Sequence, residues 1–395
     1  MNERENDPTK AAVISTEASN GKRTRILLII TGVFILAGLA WFLLWFFVFS
    51  QREVTEDAYV KGNQVTVSTQ IPGTVVGIHA DNSDLVHSGQ VLVVLDRTDT
   101  DLNLDRARSA LAETVRKVRQ AFARAHQADA AVASRKVELK LALDDLARST
   151  PLGSQQAVSA QQLQHLRDRV RIARSAVQLA ERQATAAHAA IDGTEVTDNP
   201  AVKQARTAFM SAWVAAQRTQ IRAPVSGYVA ERSVQLGQPV QPGVPLMQII
   251  PLDHLWIDAN FKETQLAHIR IGQPVRIQPD LYGDITLHGK VIGFDPGSGS
   301  AFALLPAQNA SGNWIKVVQR VPVRISIDRA DLRKHPLLIG LSTSVTVDTR
   351  DRSGHMLAQT PVNSTIAQTA VYRLDMARAR READAIVQAN LAARH

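Results

Sequence analysis

Two stretches of this 395-residue chain match each other at one fixed offset, and that repeat constrains the fold more than any other feature. Ile71-Pro-Gly-Thr-Val-Val-Gly-Ile78, followed by Val86-His-Ser-Gly89-Gln-Val-Leu92-Val-Val-Leu95, is the first copy. Val225-Ser-Gly-Tyr-Val-Ala-Glu-Arg232, followed by Val240-Gln-Pro-Gly243-Val-Pro-Leu246-Met-Gln-Ile249, is the second. Gly73/Gly227, Val75/Val229, Val86/Val240, Gly89/Gly243 and Leu92/Leu246 all share an offset of 154 residues. Each copy reads as short strands with apolar residues at period two and glycine turns between them. Gly73 and Gly227 fall where the backbone needs positive φ or a close approach. Val-x-x-Gly at 86–89 and 240–243 leads a strand into a tight turn.

The residues between the copies have a different period. Leu104, Leu111, Val118, Ala125, Val132, Leu139 and Leu146 recur every seven residues. Ala107, Thr114, Ala121, Ala128 and Ala142 fill the second seam position, with Arg135 the exception. Leu163, Val170, Val177, Ala184 and Ile191, with Leu166, Ala173, Ala180 and Ala187, repeat the pattern on the way back. This is an a/d heptad in two antiparallel arms, each about 70 Å long. Ser149-Thr-Pro-Leu-Gly-Ser154 is expected to stop one helix and let the next begin. Asp192-Gly193 and Asn199-Pro200 break the second arm, with Asn199 placed to cap and Pro200 to open a last helix through about Arg218. Alanine at so many seam positions gives a weak two-helix core, so neighbouring subunits are expected to add stability. Arg106, Arg108, Arg116, Arg119, Arg167, Arg169, Arg171 and Arg174 read as a solvated face, and Asp144-Asp145 as a solvated flank of the turn.

Ile26 to Phe49 carry no charge and span about 36 Å as a helix, enough to cross a bilayer with some tilt. Lys22, Arg23 and Arg25 precede the segment and Gln51-Arg52-Glu53 follow it, which puts the N-terminus in the cytoplasm and the rest outside. Trp41, Trp45, Phe46, Phe47 and Phe49 crowd the outer end like an interfacial belt. A cleaved signal fits worse, because the stretch is long and ends in bulky residues. From Leu255 to about Thr349 short alternating runs return: Trp256–Asn260, Val275–Gln278, Ile285–Leu287, Lys290–Gly293, Ile315–Val318, Val321–Ile327 and Ser344–Asp348. With a helical turn near Phe261–Ile269, they read as a small antiparallel barrel. The end, from about Thr365, reads as a charged helix with Thr365 and Gln368 in capping-box spacing, either packed or frayed.

Composition excludes several classes. Hydrophobic residues are 45% and charged residues 21%, unlike a wholly disordered chain. The absence of cysteine rules out disulfides, thiolate metal sites, iron–sulfur clusters and cysteine nucleophiles. The net charge of +8 permits anionic partners without choosing one, and a chain outside the membrane disfavours nucleic acid. The eleven histidines have no metal-ligand spacing, so no catalytic, cofactor or metal site is expected and the chain is read as no enzyme.

The paired strand copies resemble the two halves of a lipoyl/biotinyl carrier fold. No lysine lies between Lys61 and Lys117 or between Lys203 and Lys262, so the swinging-arm chemistry of a carrier is absent. The order of segments, with Thr55–Asn63, Pro251–Gln265, Gly299–Arg320 and His335–Leu341, resembles the membrane fusion, or periplasmic adaptor, proteins of the HlyD superfamily. Those stretches look like its EmrA-like branch, and the resemblance covers about residues 25–350. It implies a mixed β and α architecture: cytoplasmic tail 1–25, transmembrane helix 26–49, first lipoyl half with a preceding strand 50–98, coiled-coil hairpin 99–218 with its tip at 148–159, second lipoyl half 219–250, β-barrel 251–350 and C-terminal helical tail 351–395. It also implies an inner-membrane, single-pass protein with its bulk in a Gram-negative periplasm. The implied partners are a major-facilitator drug/proton antiporter, a TolC-like outer-membrane channel and further copies of the chain, as a trimer or a hexamer. Related adaptors carry the tip pattern R-x3-L-x6-S, which matches Arg148, Leu152 and Ser159. By that resemblance Leu152 packs into a channel groove with Arg148 and Ser159 hydrogen-bonding beside it; the alternative is that Leu152 only staples the turn. Two other roles stay open at this point: an adaptor for ABC-driven protein secretion, and a membrane-anchored scaffold without transport.

Overall fold

The structure, a computed structural model, describes residues 20–48, 51–154, 158–191, 193–299, 301, 318–361 and 363–392. Along the chain the elements are α1 (Asn20–Val48), β1 (Arg52–Gly62), β2 (Val65–Ser68), β3 (Gly73–Ile78), β4 (Leu85–Val86), β5 (Val91–Leu95), α2 (Thr98–Ser154), α3 (Ala160–Ala189) and α4 (Pro200–Gln217). They continue as β6 (Gln220–Arg222), β7 (Gly227–Arg232), β8 (Pro239–Val240), β9 (Pro245–Ile250), β10 (Leu255–Lys262), α5 (Glu263–Leu266), β11 (Pro274–Pro279), β12 (Leu287–Phe294), β13 (Arg320–Ile327), α6 (Arg329–Lys334), β14 (Ser342–Asp348) and α7 (Met376–Ala392). Two compact units result: Met1–Asn63 with Leu252–Ser364, and Gln64–Pro251 with Thr365–His395.

In the first unit, α1 holds a 21-residue stretch, Arg23–Leu43, with a mean hydropathy of 2.7, long and apolar enough to span a bilayer. Phe49 and the side chains of Trp45, Phe46 and Phe47 lie outside the described residues, as does the tail before Asn20. The rest of the unit is a closed six-stranded barrel in the order β1-β10-β13-β12-β11-β14. Its strands alternate buried and exposed residues, so one face of each fills the interior with Ile257, Phe261, Ile277, Ile325 and Val345. Three features depart from the sequence reading. The strand before the first lipoyl half, β1, is a barrel stave: Ala58 pairs with Ala259 on one side and Thr343 on the other. The runs at Ile285 and Lys290 form one strand, β12, which starts at Leu287, while Ile285 packs on the core from a loop. The strand expected at Ile315–Val318 and nearly all of Gly299–Arg320 fall outside the described residues. Pro322 sits inside β13, and two residues away the register with β12 shifts between Val291, opposite Ile325, and Gly293, opposite Arg324, so that Ile292 is the extra residue.

In the second unit the repeat becomes a sandwich of two four-stranded sheets, β2-β9-β7-β4 and β6-β5-β3-β8. The offset maps β2, β3, β4 and β5 onto β6, β7, β8 and β9, and so maps one sheet onto the other strand for strand. Each sheet takes two strands from each half, so neither half has a complete sheet alone. The repeated apolar positions meet inside: Val75, Val229, Val86, Val240, Leu92 and Leu246 are all buried. The four repeat glycines divide by role. Gly89 and Gly243 adopt φ of +87° and +86° in the turns after β4 and β8. Gly227 is a close approach, since a Cβ there would lie 2.5 Å from the Ile250 carbonyl oxygen. Gly73 is the milder case, its Cβ position lying 3.3 Å from the Leu95 side chain.

Between β5 and β6 the chain leaves the sandwich as helix. Asp96 Oδ1 accepts the Thr98 N–H at 2.9 Å, and Asp99 and Asp101 sit in the first turn, where the helix dipole favours negative charge. α2 runs for 57 residues, about 85 Å, and every expected apolar seam position from Leu104 to Leu146 is buried or half-buried while Arg135 is exposed. The helix does not stop at the proline. It continues through Pro151 to Ser154, because a proline in the last turn removes only one late N–H, and Thr150 Oγ1 donates to the Leu146 carbonyl there at 2.6 Å. On the return, Asn199 Oδ1 accepts the Ala201 N–H at 3.0 Å and Pro200 opens α4.

The C-terminal helix starts at Met376 rather than near Thr365, because Asp375 supplies the cap: its Oδ1 accepts the Arg378 N–H at 3.1 Å. α7 is packed. Ala379, Ala383 and Val387 are buried against Leu111, Val115, Phe209 and Trp213 at the base of the hairpin. Arg116 and Arg119, read from sequence as solvated, donate to Asn390 Oδ1 at 2.8 Å and to the Asn390 carbonyl at 2.9 Å, near the end of α7 where cations are favoured. Thr369 Oγ1 donates to the Pro224 carbonyl at 2.8 Å and ties the preceding strap to the sandwich.

Two predictions follow from these contacts. Gly227→Ala forces a methyl onto a backbone carbonyl and is expected to lower stability by about 2–3 kcal/mol, readable in denaturant unfolding. Asp348 in the barrel is held below its usual carboxylate range, first by its hydrogen bonds from Arg350. Its contribution is therefore complete above the unfolded value, about 3.9, and is lost as pH falls through the lower folded value. Asp348→Asn should flatten the loss of stability between neutral and strongly acidic pH; an unchanged acid limb would sink this account.

Candidate functional site at the hairpin tip

The residues that the sequence singled out at the tip stand on two helices. Arg148 and Leu152 lie one turn apart near the end of α2, so they share a face. Arg148 is exposed and pairs with Asp145, which stands three residues before it. Leu152 is 44% exposed at the last turn, a large apolar side chain left in contact with water. Ser159 begins the returning helix: its Oγ accepts the Gln162 N–H at 3.1 Å and its carbonyl accepts the Leu163 N–H at 3.1 Å. The seryl oxygen is thus the N-cap of α3, a role that the spacing pattern did not disclose. Residues 155–157, between the two helices, are outside the described residues.

Among its described residues the tip presents one apolar knob, one guanidinium and one hydroxyl already engaged in capping. Among the described residues no cluster of three or more histidines, aspartates or glutamates has the placement to hold a metal.

Sequence reasoning missed a polar cluster on the barrel. Arg324 stacks over the Trp256 ring at 4.0 Å, and the indole N–H donates to Asp258 at 2.9 Å. Burial pushes the Asp258 carboxyl up, opposed by the Arg324 charge. Arg320 reaches Asp57 at 2.7 Å, and Glu53 takes hydrogen bonds from Gln265 at 3.1 Å and from His268 at 3.0 Å. Half of these residues, Asp57, Trp256, Asp258 and Gln265, fall in the family-like stretches Thr55–Asn63 and Pro251–Gln265. The signal was the alternation there: Trp256, Asp258 and Asn260 are the outward residues of β10.

Two family models match the chain: the EMRA alpha-helical hairpin domain over residues 98–219, and the AAEA-like beta-barrel domain over residues 254–348. The Multidrug export protein EmrA of Escherichia coli (strain K12) is 46% identical over 347 residues, covering 88% of this chain and 89% of the relative. This chain belongs to the EmrA-like membrane fusion proteins. The EmrA of Haemophilus influenzae is 41% identical over 387 residues, 98% of each chain. The Fatty acid resistance protein FarA of Neisseria gonorrhoeae is 49% identical over 309 residues, 78% of each chain. Membership carries an adaptor role in efflux, between an inner-membrane transporter and an outer-membrane channel. The apolar N-terminal helix fits an inner-membrane anchor with the bulk of the chain in the periplasm.

Capping and exposure give opposite expectations for two tip residues. Ser159→Ala should cost about 1 kcal/mol locally, seen as faster hydrogen exchange in the first turn of α3. Leu152→Ser should leave stability within about 0.5 kcal/mol, because the side chain is already in water. A larger loss for Leu152→Ser would mean that it staples the turn.

Proposed function

We propose that this adaptor links a major-facilitator drug/proton antiporter in the inner membrane to a TolC-like outer-membrane channel, for export of small hydrophobic toxic compounds. The N-terminus lies in the cytoplasm, and the proton gradient acts through the pump. The observation that carries this reading is the match to EmrA along 88% of the chain, with the hairpin and barrel each matched by a family model. The relatives named for multidrug export and fatty acid resistance support cargo that is hydrophobic and, in part, weakly acidic.

At the tip, Leu152 enters a groove between channel helices, and Arg148 hydrogen-bonds beside it after exchanging Asp145 for a channel acceptor. Ser159 contributes by capping α3 and by offering its hydroxyl proton, which the cap leaves free to donate. A knob of this size in a fitted apolar groove contributes about 1.5–3 kcal/mol of burial.

A photo-crosslinking residue at position 152 in living cells, with mass spectrometry of the adduct, tests the reading. The expected adduct is an outer-membrane channel, and Leu152→Ser should raise drug susceptibility while leaving the amount of protein unchanged. Adducts without a channel, with susceptibility unaffected by Leu152→Ser, would remove the tip from the mechanism.

A further inference from the structure

A ladder of polar bridges between the two arms loses its acids before it reaches the tip. Lys136 pairs with Glu181 at 2.9 Å, and Asp129 bonds His188 at 2.8 Å. Each of these residues directly follows a second-seam position, Arg135, Ala180, Ala128 or Ala187, so the bridges line one flank of the coil. The second bridge is the first moved one heptad toward the base on both arms. The same step toward the tip brings Leu143 level with Arg174, and a further step brings Thr150 level with Arg167. Neither of these outer rungs has an acid. Leu143 is 40% exposed, and the Thr150 hydroxyl donates to the Leu146 carbonyl at 2.6 Å.

The residues beside the outer rungs add charge of the same sign. Lys140 lies three residues before Leu143, and Arg171 three before Arg174, on the faces that carry the ladder. Lys140, Arg167, Arg171 and Arg174 are all exposed. Asp168 pairs with Arg171, and among the described residues no acid pairs with Lys140, Arg167 or Arg174. Asp144, next to Leu143, is the other acid close to this flank. Glu138 and Asp145 are held by Arg135 and Arg148. Four cations thus stand against two acids.

The position of this flank indicates what it meets. By the register of the bridges, Arg167 is about 3 Å and Arg174 about 14 Å below the level of Leu152. Leu152 itself lies on the other flank, one heptad after Asp145 and two after Glu138, which directly precede the first-seam residues Leu146 and Leu139. A hairpin seated between two channel helices therefore turns Leu152 to one of them and the basic flank to the other. Arg167 and Arg174 are seven residues apart, about 10 Å along α3, so a helix with carboxylates two turns apart continues the ladder.

We infer that the flank carrying Arg167 and Arg174 binds an acidic helical surface of the outer-membrane channel and steers the tip into its groove. This rests on the tip reading above and names the chemistry of the partner there. Exposed charge acts on the encounter: it raises the association rate and makes that rate fall with salt, whereas a seated apolar side chain sets dissociation.

The full-length chain in detergent and the immobilised TolC-like channel of the same cells give both rates, at low and at physiological ionic strength. The association rate of the unaltered chain is expected to fall with salt. Arg167→Gln with Arg174→Gln should lower it about tenfold at low salt and remove most of the salt dependence, with dissociation changed by less than about twofold. Arg167→Lys with Arg174→Lys should keep the rate, because steering uses charge rather than the guanidinium fork. Arg124→Gln with Arg182→Gln removes the same charge from exposed sites farther from the tip and should leave the rate within about twofold. Helix content by circular dichroism should be the same in all of them. An unchanged rate in the first variant, or an equal drop in the last, overturns the inference. So does loss of binding to phosphatidylglycerol vesicles with the channel rate intact, which assigns the flank to lipid. Those outcomes leave the channel adduct at position 152 standing. An unaltered chain that gives neither that adduct nor any binding to the channel removes the tip reading and this inference together.

Discussion

The antiparallel pairing of β5 with β6 is the constraint on which the long hairpin depends. Val93 opposite Ile221, and the Leu95 N–H on the Thr219 carbonyl at 2.9 Å, hold together two points of the chain separated by the whole helical excursion. Closing a long loop costs entropy that rises only slowly with length, so one well-buried strand pair can hold an excursion of any size. The barrel repeats the device one level out. Gly62 opposite Leu255, in the pairing of β1 with β10, clamps the ends of the entire sandwich excursion. Each insertion leaves and returns through neighbouring antiparallel strands, so the register of each ladder survives whatever is inserted. A domain can be lengthened or exchanged in such a chain without disturbing the clamp beneath it.

Packing strength follows this nesting. The barrel and sandwich interiors hold fully buried branched and aromatic residues, and the hairpin base gains a third helix in α7. In the middle of the hairpin the seam turns to alanine, with Ala121, Ala125 and Ala128 on one arm and Ala180, Ala184 and Ala187 on the other, which allows close helix approach but removes little apolar surface from water, at about 25 cal/mol per Å². The outer turns regain larger seam residues, Val132, Leu139 and Leu146 with Leu163, Val170 and Val177. That half of the hairpin also leaves Val137, Leu141, Ile172 and Leu179 more than half exposed.

The amino-acid sequence disclosed what depends on periodicity. The 154-residue offset, the heptads and the apolar anchor are each repeated many times, so single exceptions such as Arg135 do not hide them. It hid what depends on partner choice. A strand pattern at 52–62 says that one face is buried, not that β10 and β14 are its neighbours, so sequence alone groups β1 with the lipoyl half it precedes. Pro151 misled for a related reason: a proline's cost depends on how many helical residues remain after it, and here only three do. The packed C-terminal helix was legible in part, since Ala379, Ala383 and Val387 recur at every fourth residue, but the stronger-looking cap at Thr365 drew the start ten residues too early.

The tip residues show how one spacing pattern can join unlike roles. Ser159 has a role in the isolated fold, because an N-cap hydroxyl accepts the Gln162 N–H whether or not a partner is present. Leu152 is 44% exposed, so nearly half of its surface gains nothing from the isolated fold. A motif defined by recognition alone would not need the serine at the helix start, and one defined by folding alone would not need the leucine. Their coexistence within eight positions is intelligible when the cap fixes where the return helix begins, while the last turn of α2 displays Leu152. Affinity at such a tip then depends on preorganisation more than on contact area, since a single side chain buries little and a loose turn would lose much of that gain to ordering.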